Sequence, residues 1–356
     1  MTKLTRTSRR EAASSRRSRG GAGGGLLVPV LAASAAALAA AALYNVAKAR
    51  RAEEDNPPHG RFIEVDGVRL HYTDTGGDAR TAERPALVLL HGNGAMIQDF
   101  EASGLTEMAA RRYRVVAFDR PGFGHSSRPR DRLWTPQAQA ALIAEAIDEI
   151  GLVRPIVLGH SWGTLVALAL GLDYAQHAGG LVLASGYYYP TARLDVVLAS
   201  PPALPIVGDA MRYTVSPLLG RAMAPAMFAR IFQPHAVTER FAREFPTEMA
   251  LRPGQIRASA ADTAMMVPGA ASFQGRYAEL HRPVTVLTGT GDRIVDPERQ
   301  SVRLADELPD AELRLLPDLP HMVHHIDPGA LVAAVDSVAT RIASAAAPHG
   351  SRQAGR

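Results

Sequence analysis

Residues 155–172 read PIVLGHSWGTLVALALGL, and the parsing of this run decides the fold. Pro155–Leu158 is apolar and short, the pattern of a strand covered on both faces. Ser161–Ala175 is apolar over a length that suits a buried helix. At the junction stands Gly159-His160-Ser161-Trp162-Gly163. A serine hydroxyl attacks poorly unless a base takes its proton and the backbone exposes it. A strand-to-helix turn does the second, because glycines on either side let strand and helix pass closely around a strained serine. The pentapeptide alone recurs by chance. With a strand before it and a helix after it, Ser161 becomes the candidate nucleophile.

Outward from this run the elements alternate. Two alternating runs within residues 61–74 meet at Asp66-Gly67, a hairpin turn. Pro85–Leu90 and Arg114–Phe118 read as buried strands, ending at His91-Gly92 and at Asp119-Arg120-Pro121-Gly122. Thr135-Pro136 opens a helix, with Thr as N-cap and Pro at its first position, which stops at Gly151. Leu181–Ala184 is again strand-like. Strand–helix alternation of this kind predicts an α/β fold with a mostly parallel, eight-stranded sheet covered by helices on both faces. Residues 187–280 break the alternation with proline-rich turns and helical pieces, the mark of an inserted helical cap. Order returns with Pro283–Leu287, a helix over Glu298–Leu308, strand Glu312–Leu316 and a final helix from about Pro328 to Ala345. The core is therefore expected over 61–186 and 281–345, and a loose tail over 346–356.

The net charge of +4 is misleading as a property of the body. Ten basic and four acidic residues fall within residues 1–60, so the remainder is slightly acidic and offers no field for nucleic acid. Cysteine is absent, which excludes disulfides, cysteine nucleophiles and cysteine-based zinc sites. A basic tail over 1–25 precedes an uncharged run, Leu26–Leu43, within a segment over 26–45. Eighteen residues of helix reach about 27 Å, close to the roughly 30 Å of a bilayer's hydrocarbon core. Three readings stand open: an uncleaved membrane anchor, a signal peptide cut near Ala47-Lys48-Ala49 that leaves a secreted or periplasmic chain, and a soluble alanine-rich helix. The excess of positive charge before the run predicts a cytoplasmic N-terminus and an exported catalytic body. Residues 46–60 read as a linker, solvated over Ala52–Pro58.

For a serine on such a turn, the acid and then the histidine follow along the chain. Strand PVTVL runs into Thr288-Gly289-Thr290-Gly291-Asp292, which makes Asp292 the candidate acid, with Asp296 as runner-up. The other usual acid position, after the preceding sheet strand, holds Ser185 and Gly186 instead. After the last strand comes Leu319-Pro320-His321-Met322-Val323-His324-His325, and His321 stands first in that loop, the place from which a ring reaches the serine. No carboxylate–histidine spacing supports a metal, and no cofactor is expected. Oxyanion donors are expected from the backbone N–H of Trp162 and from the HGNG loop at 91–94, where Asn93 is best placed through its N–H and its side chain. His91 itself reads as structural. Cap residues Tyr187, Tyr188, Met227 and Phe228 are expected to line an apolar substrate cavity, with core packing as the bland alternative for each.

Together these residues resemble the α/β-hydrolase superfamily, in its cap-bearing branch of esterases, epoxide hydrolases, haloalkane dehalogenases and C–C bond hydrolases. The likeness extends from about Arg61 to Ala345 and includes HGNG at 91–94, FDRPGFGHS at 118–126, GDRIVDP at 291–297 and His321 seven residues before Pro328. Pro320 replaces the family's usual glycine, and Asp327 shifts its usual acid by one position. Asn93 and Trp162 resemble the dehalogenases and epoxide hydrolases, which use a carboxylate nucleophile to form an alkyl ester that water opens. Ser161 stands in that position here, and a serine ether would not hydrolyse. The resemblance thus implies acyl chemistry: ester hydrolysis by a Ser-His-Asp triad on a small apolar substrate, with C–C cleavage of a diketone-type substrate as an alternative. A hydrolase-like scaffold that only binds, at a membrane, is the alternative from a different class.

Overall fold

The structure is a computed structural model that describes residues 24–79, 81–192 and 194–346. The basic stretch over 1–23 and the tail over 347–356 lie outside the described residues. The contacts divide the chain into two units, Met1–Ala40 and Ala41–Arg356.

One helix, α1, runs from Gly24 to Asp55, and among the described residues only its Val28–Asp55 portion is long and apolar enough to cross a membrane. The helix runs on into the segment read as a linker, as far as Asp55. The reason is burial within residues 41–55. Asn45 is 1% exposed, donates from Nδ2 to the carbonyls of Tyr213 and Thr214 at 2.9 and 2.7 Å, and accepts from Arg221 at 2.8 Å. Ala52 packs in a cluster with Phe232, Phe241 and Met249. Only from Asn56 does the chain leave the helix.

A hairpin, β1 (Arg61–Val65) and β2 (Val68–Asp74), turns at Asp66 and Gly67, both at positive φ. There follow β3 (Leu87–Leu90), α2 (Ile97–Ser103), α3 (Leu105–Ala110), β4 (Val115–Phe118), α4 (Pro136–Ile150), β5 (Ile156–His160), α5 (Gly163–Asp173) and β6 (Gly180–Ala184). Thr135 caps α4 by accepting from the Ala138 N–H, and Gly151 ends it at φ +74°. The insertion holds α6 (Leu194–Ala199), α7 (Val207–Tyr213), α8 (Val215–Phe232), α9 (Glu239–Glu244), α10 (Thr247–Ala250) and α11 (Pro253–Phe273). Then come β7 (Val284–Gly289), a π-helical turn at Glu298–Val302 that leads into α12 (Arg303–Glu307), β8 (Ala311–Leu316), α13 (Val323–Ile326) and α14 (Pro328–Ala346).

The eight strands order as β1-β2-β4-β3-β5-β6-β7-β8. The hairpin is antiparallel, β2 meets β4 antiparallel, and every other pairing is parallel. Alternation along β3 sends Val88 and Leu90 to one face, with β5 Val157, α4 and α5. Leu87 and Leu89 go to the other, with Phe100, Leu105 and α14 residues Leu331 and Val335. Each fully buried Leu or Val contributes about 1.5–3 kcal/mol of transfer free energy, so two such layers hold the sheet rigid. Strands β3 and β5 are neighbours although the chain visits β4 between them. Their C-terminal ends therefore flank the point where the winding reverses, the crevice in which parallel sheets place ligand sites.

Candidate active site

Ser161 follows β5 directly and has φ +51°, a backbone region that costs a non-glycine residue of order 1 kcal/mol or more. Its surroundings impose that value. The Ser161 N–H donates to the Ala184 carbonyl at 2.9 Å, continuing the β5–β6 ladder, while its own carbonyl accepts from Thr164 N–H and Thr164 Oγ1 at 3.0 and 2.6 Å to start α5. A side chain at Gly159 would strike the Gly163 carbonyl, and one at Gly163 would strike the Leu90 carbonyl. Both positions therefore need glycine for helix α5 to close on the sheet.

His321 stands beyond β8, almost buried, with Nε2 at 3.0 Å from Ser161 Oγ and Nδ1 at 2.8 Å from Asp292 Oδ2. Asp292 follows β7. Its second oxygen accepts the N–H groups of Ile294 and Val295 at 2.7 and 3.0 Å, which hold the carboxylate aimed at the ring. The chain therefore brings together three residues from the ends of β5, β7 and β8. Asp296 does not join them; it is exposed and accepts from the Arg299 N–H at 3.0 Å.

The N–H groups of Trp162 and Asn93 have no acceptor among the described residues. The Asn93 side chain, expected as an added oxyanion donor, is engaged elsewhere. Its Nδ2 donates to Ser259 O and Thr263 Oγ1 of α11 at 3.1 and 2.8 Å, because that helix packs against the loop. What shapes the loop is Arg120, a residue fully buried and not singled out from sequence. Its guanidinium donates to the carbonyls of His91 and Gly92 at 2.9 and 3.1 Å, to Gln139 at 2.9 Å and to Asp262 of α11 at 2.6 Å. With both carbonyls drawn to Arg120, the following N–H is left unbonded. The same guanidinium stacks over the Trp162 indole at 4.5 Å, and the indole N–H donates to Asp262 O at 2.9 Å. The available signal was FDRPGFGHS, whose Asp119 is also buried. Burial works against its ionisation, but His71 at 2.7 Å and the His125 N–H hold its carboxyl below the ordinary value.

A second buried group lies behind His321. His160 Nε2 donates to the His321 carbonyl at 3.1 Å, and its ring stacks edgewise on His324 at 4.3 Å. His324 and His325 each place Nε2 at 2.9 Å from one oxygen of Asp99. Burial alone would raise Asp99, yet the two imidazoles keep it well below the carboxylate range, while burial and the neighbouring rings push His160 far down. Asp99, His324 and His325 put three ligand-type atoms within 4.8 Å of one another, a grouping that the sequence spacing did not disclose because α2 and α13 are 225 residues apart. The arrangement ties the His321 loop to α2 and to the elbow.

The four cap residues expected to line a cavity differ in their surroundings. Tyr188 is fully buried in the core beneath α5, and Tyr187 is nearly so, with its hydroxyl at 3.0 Å from Thr191 Oγ1. Met227 points outward and is 54% exposed. Phe228 packs against Phe241 and Phe245. Tyr188 thus belongs to the core, whereas Met227 lies on the outer face of α8.

The sequence pattern of the alpha/beta hydrolase fold matches residues 85–328. Haloalkane dehalogenase 2 of Mycobacterium tuberculosis is 28% identical over 291 residues, 78% of this chain and 94% of that protein. The 2-hydroxymuconate semialdehyde hydrolase of Pseudomonas sp. (strain CF600) is 29% identical over 284 residues, 76% of this chain and 90% of that one. Among solved structures, a thermophilic esterase from Thermogutta terrifontis aligns with a TM-score of 0.62 at 20% identity, over 80% of this chain and 99% of its own.

Proposed function

Because this chain belongs to the alpha/beta hydrolase fold family, we propose that it is a serine hydrolase cleaving carboxylic esters, or related acyl bonds, of apolar small molecules. The observation that carries the reading is the pair of hydrogen bonds that runs from Ser161 through His321 to Asp292 at 3.0 and 2.8 Å. Ser161 Oγ attacks the carbonyl carbon as its proton passes to His321 Nε2, and the carbonyl π electrons move to oxygen. Asp292 stabilises the imidazolium and keeps the Nδ1 tautomer. The N–H groups of Trp162 and Asn93 hold the oxyanion. Collapse expels the alkoxide, which takes the proton from His321. Water, deprotonated by the same ring, then cleaves the acyl-serine and releases the acid. Haloalkane chemistry is set aside for this chain because a serine attack on an alkyl halide would leave an ether.

Labelling with a fluorophosphonate tests the assignment. Wild type is expected to be labelled and Ser161→Ala not; equal labelling of both, or none of wild type, would sink the reading and favour a binding scaffold. C–C hydrolysis is the second reading, supported by the Pseudomonas relative's name. Turnover of a vinylogous diketone with little turnover of p-nitrophenyl esters would select it.

At the N-terminus the proposal is an uncleaved anchor with the body exported. Its support is Asn45, whose three hydrogen bonds sit just before the Ala47-Lys48-Ala49 cleavage candidate and would be lost on cutting there. Fractionation followed by N-terminal sequencing tests it.

A further inference from the structure

The outer face of the cap is apolar and open. Along α8, Val215, Leu219, Met223 and Met227 recur every fourth residue, and each is at least half exposed, while Pro217, Ala224 and Phe232 face inward. Leu198 of α6 and Ile206 before α7 are 71% and 83% exposed. Exposed apolar surface on this scale marks an interaction site, since a soluble face of α8 would carry charge. Asp209, Arg212 and Arg221 lie in the same stretch, but all three are engaged in ion pairs.

Beside this face lies a cleft of about 560 Å³ that Tyr213, itself 40% exposed, helps to line. Its cations are Arg50, Arg69, Arg128, Arg252 and Arg257, and its one carboxylate is Glu53. Glu53 is taken by Arg252 at 2.7 Å, and Arg128 is paired with Asp262 at 2.9 Å. Arg50, Arg69 and Arg257 form no ion pair with a carboxylate among the described residues, although Arg69 stacks over Phe62 at 3.5 Å and Arg257 donates to the Arg128 carbonyl at 2.8 Å. Arg257 is half-buried; its burial, together with Arg130 and Arg128, pushes its guanidinium down to about 10. Gly254 and Gln255, in the first turn of the 21-residue α11, also line this cleft, and their N–H groups have no acceptor among the described residues. Guanidinium forks and an open helix N-terminus suit a phosphate.

The two features both border residues 45–53. Asn45 is bonded at the α7–α8 junction, two residues after Leu43 closes the uncharged run, and Arg50 projects from the next turns. We propose that the apolar cap face rests in an anionic lipid bilayer and that the arginine cleft takes a lipid phosphate at its surface. The inference rests on the anchor reading for its choice of lipid as occupant.

The absence of native cysteine makes single-cysteine probes clean. The full chain would carry a fluorophore at Leu198→Cys, Met223→Cys, Leu31→Cys or Val153→Cys, reconstituted into phosphatidylcholine or phosphatidylglycerol vesicles with brominated acyl chains. Probes at 198 and 223 are expected to be quenched like the one at 31 on α1, and the probe at 153, on the turn after α4, to stay bright. Quenching at 31 but not at 198 or 223 would overturn the inference and leave the anchor standing; no quenching at 31 would remove both. In phosphatidylglycerol, Arg50→Gln and Arg257→Gln are each expected to lower the docked-to-undocked ratio at 223 about fivefold. An unchanged ratio in variants with a wild-type unfolding midpoint would overturn the headgroup site. Should Arg257→Gln misfold, phenylglyoxal modification of wild-type Arg257 decides the matter. It is expected to slow in phosphatidylglycerol vesicles and not in phosphatidylcholine, and equal rates would overturn the site.

Discussion

Acidification from neutrality to about pH 4 is expected to cost the folded chain about 3 kcal/mol through His91 alone. The ring is fully buried. Its Nε2 accepts the Arg120 backbone N–H at 3.0 Å, so the proton sits on Nδ1 and is donated to the Gly92 carbonyl at 2.7 Å. A second proton would face an N–H donor and add a charge beside the Arg120 guanidinium. Burial first, and Arg120 next, therefore push the ring from 6.5 down to about 4. Between those values the unfolded chain binds a proton that the folded chain refuses, so stability falls as pH falls. The contribution is present in full above pH 6.5 and is lost as pH falls through about 4. At about 1.4 kcal/mol per pH unit, that interval amounts to about 3.5 kcal/mol, of which about 3 is lost by pH 4, where the folded ring is itself half protonated. Urea unfolding followed by the fluorescence of Trp134 and Trp162, both buried, reads it directly. Because His160 and His324 are also pushed down by burial, wild type will fall further than His91 alone requires. The comparison with His91→Gln isolates the ring: the variant starts about 1 kcal/mol lower for its lost Gly92 bond but has the flatter slope. Equal slopes for the two proteins would refute the reasoning.

Asp292→Asn is expected to lower kcat about 10⁴-fold with little change in KM, since the amide reverses the tautomer of His321; steady-state ester hydrolysis measures it. Gly163→Ala places a methyl group against the Leu90 carbonyl and is expected to destabilise by about 3 kcal/mol while abolishing fluorophosphonate labelling, read by thermal unfolding and gel fluorescence. Asn45→Leu leaves the Tyr213 and Thr214 carbonyls and Arg221 short of a buried partner, at about 1–3 kcal/mol. Faster limited proteolysis between residues 44 and 58 is the expected sign.

Much of the scaffold was legible because its signals are local. The strand PIVL, the glycines around Ser161, the Thr135 cap and the Asp66-Gly67 turn each follow from neighbours a few residues away. The positions of Asp292 and His321 were legible for the same reason, since each lies in the loop that follows a strand. The course of α1 was not. AEEDNPP reads as solvated by composition, but the helix persists to Asp55 because Asn45 and Ala52 meet cap residues more than 160 positions later. Nor could composition tell which cap side chains face inward: Met227 and Phe228 are adjacent, yet one is exposed and the other packed.

By itself, then, the sequence determined the alternation of strands and helices, the turn that bears Ser161 and the order in which an acid and a histidine follow it. Tertiary structure alone decided the distances among them, and the partners of every buried charge. Arg120 meets Asp262 across 142 residues, and Asp99 meets His324 across 225. A buried ion must find its counter-ion wherever packing brings one, because leaving it unpaired costs several kcal/mol. Periodicity carries no record of that choice.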